Sequence, residues 1–115
     1  MKIFVADQFE FPDSCTEERV EIAVARRGAF PFAEVAAFVG ARVSVDASHE
    51  LGEPMPFQAV PAMAEVSSHL LMLAGITIPA ACAWRVWRIR SGVDEVELVI
   101  EAPEAFMHYK WSSSA

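Results

Sequence analysis

Residues 84–102, WRVWRIRSGVDEVELVIEA, constrain this chain more than any other stretch: two runs of strand-forming residues flank a Ser-Gly-Val-Asp turn signal, the pattern of a β-hairpin. Burial then argues for a register. With Arg90 opposite Glu95, Arg88 faces Glu97 on one side of the ribbon, while Ile89 meets Val96 and Trp87 meets Leu98 on the other. A slip by one residue sets Arg90 against Val96 and scatters the apolar residues over both faces, so burial of a single face selects the first pairing. An exposed Arg–Glu pair contributes about 0.2–1 kcal/mol and a buried large apolar side chain roughly 1.5–3 kcal/mol, so the apolar face decides.

The length of 115 residues predicts a single domain over 1–115, with residues 112–115 fraying. Apolar residues make up 54% of the chain and mean hydropathy is +0.30, high for a free monomer. The excess points to a subunit interface or a ligand cavity, and the simplest assembly is a homodimer. A net charge of -7, with acid in excess in both halves, repels phosphate and argues against nucleic acid as a partner. Cys15 and Cys82 lack a CxxC spacing, and Asp7 interrupts the apolar N-terminus MKIFVADQF, so both cysteines read as reduced thiols of a cytoplasmic protein. Residues 66–84 carry no Asp, Glu, Lys or Arg and match a bilayer in length, but Gly75 and Pro79 break them, and Ser67, Ser68 and His69 are polar. They read as a buried helix and strand, not a membrane span.

Along the chain, residues 2–11 form a strand with Ile3, Val5, Phe9 and Phe11 on one parity. Residues 17–27 carry two signals. Ser14 and Glu17 resemble a capping box with Gly28 as a C-terminal cap, yet Val20, Ile22 and Val24 alternate with Glu21 and Ala23, and the alternation favours a strand pairing with the first. Residues 31–40, PFAEVAAFVG, predict a short helix apolar nearly all round, and 42–46 a short strand. Residues 47–58, with Gly52, Pro54 and Pro56, read as a flap-like loop. Residues 61–74 make the clearest helix, with Met63, Val66, Leu70, Leu73 and Ala74 on one face, Glu65, Ser68, His69 and Met72 on the other, and Gly75 as its stop. The tail PEAFMHYKW places Met107, Tyr109 and Trp111 on one parity and predicts an edge strand or a strand docked on a neighbouring subunit.

Chemistry-bearing residues are few. Glu65 and His69, four apart on one helix face, fit a general base with its orienting carboxylate, or equally a surface ion pair. Asp46, His49, Glu50 and Glu53 share a loop, as a cation site or as solvated side chains. No spacing supplies a third ligand beside Glu65 and His69, and no cofactor motif occurs, so neither a metal nor a cofactor is predicted. Arg85 falls opposite Ile100 in the expected register, either snorkelling past Trp87 or awaiting an anionic ligand. Met63, Met72 and Phe57 supply the adaptable apolar surface that lines ligand pockets, or simply core.

The expectation is an α+β fold: a curved antiparallel sheet of about five strands with two main helices packed on one face. For function it is a non-catalytic, homo-oligomeric binding protein with an apolar small-molecule cavity, lined by Met63, Met72, Arg85, Phe57 and His49. Two alternatives stay open. One is a small cofactor-independent isomerase or hydrolase using Glu65 and His69 on an apolar substrate; the other is a regulatory protein–protein interaction module.

Overall fold

A computed structural model of the chain describes residues 2–6, 17–26, 38, 53–60, 63–79, 83–91 and 95–114. They form an α+β arrangement in which a six-stranded, fully antiparallel open sheet carries one α-helix and a short 3-10 turn. The strands are β1 (Lys2–Ala6), β2 (Glu17–Arg26), β3 (Met55–Pro56), β4 (Arg85–Ser91), β5 (Glu95–Glu101) and β6 (Ala105–Ser114). The helix is α1 (Met63–Ala74), and the 3-10 turn spans Phe57–Ala59. In space the strand order is β1-β2-β6-β5-β4-β3.

Alternation prevails in β2. Val20 and Ile22 point into the core on one face while Ala23 and Ala25 are buried on the other, so the strand pattern overrides the capping signal. β2 pairs with β1 as expected, but the parity within β1 is the reverse of the predicted one. Phe4 pairs with Ile22 and packs on the main core, whereas Ile3 and Val5 are 53% and 48% exposed.

The chain's last strand is the larger correction. β6 is not an edge: it lies between β2 and β5, and pairs along ten residues with β2, from Glu17↔Ser114 to Arg26↔Ala105. Residues 102–104 turn it back from β5, with the Ala102 amide donating to the Ala105 carbonyl at 2.9 Å. Pro103-Glu104 is not one of the dipeptides that announce a hairpin, which hides this turn from a sequence reading.

The expected register of the β4–β5 hairpin is overturned. Arg85 pairs with Glu101, Val86 with Ile100, Trp87 with Val99 and Arg88 with Leu98; an irregularity after Arg88 then sets Arg90 against Glu97 rather than Glu95. The premise of one buried face fails, because this sheet is buried on both. One core comprises Val20, Ile22, Val86, Leu98, Ile100, Met107 and Tyr109 beneath Val66 and Leu70 of α1. The other holds Trp87, Val99, Phe106 and Ala25 against Phe38. With apolar demand on both faces, placing Trp87 beside Val99 costs no burial, and the slip that seemed forbidden is satisfied.

Among the described residues there is one α-helix, not two. The helix expected over 31–40 lies outside them apart from Phe38, which is helical, fully buried and 5.6 Å from the Phe106 ring. The short strand expected over 42–46 also lies outside them. Of the expected flap, the described part is anchored. Met55–Pro56 pairs with β4, the Phe57 amide donates to the Trp84 carbonyl at 3.1 Å, and Phe57 packs edge-on to Trp84.

α1 buries Val66 and Leu70, with Leu73 and Ala74 half-buried beside them; Met63 stays 37% exposed and is not part of that packed face. Gly75 ends the helix with φ 68°, its amide donating to Leu71 and that of Ile76 to Leu70, both at 3.0 Å. A left-handed residue is what this terminus requires, and glycine adopts it without a Cβ clash. No helix among the described residues is long and apolar enough to cross a membrane.

Candidate functional site

α1 packs on the face of the sheet on which β6 presents Met107, Tyr109 and Trp111. In the row Val20↔Trp111↔Val96 the strands carry apolar groups; one step further along β2, the same parity brings Glu18. A carboxylate continuing an apolar parity ends the core and opens a cleft. The cleft, of about 320 Å³, is lined by Glu18, Glu65, His69, Val96, Tyr109 and Trp111.

His69 and Tyr109 bridge helix and sheet within it. The His69 Nδ1 and the Tyr109 Oη are 2.7 Å apart, and the rings stack with centroids 5.9 Å apart at 18°. Burial disfavours the imidazolium and lowers the His69 pKa below its ordinary 6.5, although Glu18 and Glu65 both pull it up. Burial, followed by the fields of Glu65 and Glu18, pushes the Tyr109 phenol well above its ordinary range. At neutral pH the pair is therefore an uncharged imidazole hydrogen-bonded to an intact phenol. With the phenol donating to Nδ1, the imidazole carries its proton on Nε2.

Glu65 and His69, expected to share a helix face, do meet in this cleft. Of the residues expected to bind ligand, the described ones, Met63, Met72, Arg85 and Phe57, do not join them. Met63 and Phe57 line a second, larger and more open cleft of about 390 Å³, formed with Leu71, Ile76 and Ile78. Met72 is 55% exposed and lines neither. Arg85 is no orphan: it lies opposite Glu101, not Ile100, its Nε donates to Glu101 Oε1 at 2.7 Å, its Nη2 contacts the same oxygen, and its guanidinium sits 5.4 Å from the Trp87 ring centre. His49, with Asp46 and Glu50 of the same acidic loop, lies outside the described residues; Glu53 is exposed.

Sequence reasoning does not assign Glu18, Val96, Tyr109 and Trp111 to a site. For three of them a signal existed: Tyr109 and Trp111 share a parity with Met107, and Glu18 is the acidic residue on the Val20–Ile22–Val24 parity. A second polar pair, His108 Nε2 and Glu97 Oε2 at 2.6 Å, is buried on the opposite face of the sheet. Among the described residues, no three His, Cys, Asp or Glu side chains are grouped to hold a metal. No family model matches the chain, and neither the curated proteins nor the solved structures hold a match.

Proposed function

We propose that the chain is a small-molecule-binding protein, non-catalytic and homo-oligomeric, whose ligand inserts an apolar or aromatic body into the cleft between α1 and β6. The observation that carries this reading is the cleft itself. Its volume falls at the lower end of the roughly 300–1,000 Å³ of small-molecule sites, and it joins an apolar wall, Val96 and Trp111, to two convergent polar groups, His69 and Tyr109. A neutral imidazole and an intact phenol suit recognition: both donate or accept hydrogen bonds without a proton having to move. Self-association belongs to the same reading, because the edge strand β1 presents Ile3 and Val5 on its exposed parity. The test is native mass spectrometry of the purified protein. A small molecule should remain bound to the wild type and to Leu71→Trp, which fills the second cleft, and be lost from Val96→Trp; retention by Val96→Trp contradicts the assignment.

One observation favours the enzyme as second reading: a neutral His69 stands at the cleft wall, and in the tautomer that donates Nδ1–H to the Tyr109 oxygen its Nε2 would serve as the base. In heavy water, a bound aromatic ketone would then gain deuterium at its α-carbon in the wild type and not in His69→Gln. Equal exchange in both proteins removes this reading.

A further inference from the structure

The charge on the ligand can be argued from the walls of the same cleft, and the argument rests on the binding reading above. Glu18 comes from β2 and Glu65 from α1, so carboxylates enter from the sheet and from the helix. Among the described residues, no lysine or arginine lines the cleft. Tyr109 and Trp111, consecutive on one face of β6, add aromatic surface to the same lining. Aromatic faces attract cations, and the field of a nearby carboxylate adds to the attraction. Among the described lining residues an anionic ligand would meet two like charges and no counter-charge. A neutral ligand would leave both carboxylates unused. We propose that the cleft selects an organic cation, a protonated amine on an aromatic or apolar body, with the ammonium between Glu18 and Glu65 and the body against Trp111 and Val96. The imidazole of His69 does not compete for this role, since burial keeps it uncharged near neutral pH.

The test uses three probes with one phenyl body: 2-phenylethylamine, 2-phenylethanol and 3-phenylpropanoate, titrated calorimetrically while the ring resonances of His69 and Trp111 are followed by NMR. The amine should bind about tenfold or more tightly than the alcohol, a difference of about 1.4 kcal/mol, with the propanoate weakest. The double variant Glu18→Gln/Glu65→Gln should close the gap between amine and alcohol. Glu104→Gln, which removes an exposed carboxylate from the β5–β6 turn, should preserve it. If the alcohol binds in the cleft as tightly as the amine, or the gap survives the double variant, the cation assignment is overturned while the cleft remains a binding site. If no probe perturbs His69 or Trp111, the binding reading falls and the cation assignment with it.

Discussion

Tyr109 is the only tyrosine in the chain, so its ionisation can be followed by absorbance without ambiguity. Its folded-state pKa is raised, first by burial and then by Glu65 and Glu18, so the stability it contributes is complete below the ordinary value near 10 and is lost as pH rises beyond it. An alkaline titration should therefore show tyrosinate appearing only together with unfolding. Tyrosinate forming near pH 10 in a folded protein would contradict the His69–Tyr109 contact. The histidine has the opposite sign. Its folded pKa is lowered, so protonation weakens the fold, and stability falls as pH drops below about 6.5 toward the folded midpoint. The NMR midpoint of His69 should lie under 6.5 and fall further in Glu65→Gln, which removes one of the two charges that raise it. A midpoint at or above 6.5 would place the ring in solvent.

At the scale of elements, α1 offers a contrast between neighbours. Leu70 is fully buried under the helix and Leu71 is 56% exposed, so Leu70→Ala should cost about 2–5 kcal/mol by denaturant unfolding and Leu71→Ala about 0.5 kcal/mol or less. Equal losses would mean that the helix presents another face. In the hairpin, cross-strand nuclear Overhauser effects should join Trp87 to Val99; contacts of Trp87 to Leu98 would restore the register that burial of a single apolar face selects. That register illustrates what local pattern can and cannot decide. The existence of β4, β5, β2 and α1, and the glycine stop of α1, were legible because period and propensity are local properties. The register was not, because Trp87, Val99 and Phe106 satisfy a second core whose covering residue, Phe38, is far away in sequence. The same applies to the site. Glu65 and His69 could be paired by helical spacing, but their partners Glu18 and Tyr109 come from strands that only the β2–β6 pairing brings beneath the helix. The central position of β6 stayed hidden for the same reason: an aromatic tail alone does not reveal which strands will flank it.

Among the described residues, the sheet has β1 at one edge with Ile3 and Val5 exposed, and α1 shows Leu71 and Met72 to solvent. The proposed self-association through β1 predicts a dimer by light scattering and a monomer for the double variant Ile3→Lys/Val5→Lys, since charged side chains on an edge strand block strand pairing. A wild-type monomer, or a dimer unaffected by the two lysines, would contradict it. The apolar residues fill two cores, while Glu18 and Glu65 line the cleft. The account depends above all on that cleft being where a ligand sits. Its most direct test is to measure intermolecular nuclear Overhauser effects between bound 2-phenylethanol and the protein. The phenyl protons should contact the rings of His69, Tyr109 and Trp111, and those contacts should vanish in Val96→Trp; contacts to Met63, Leu71 and Ile78 instead would put the ligand in the second cleft and contradict the account.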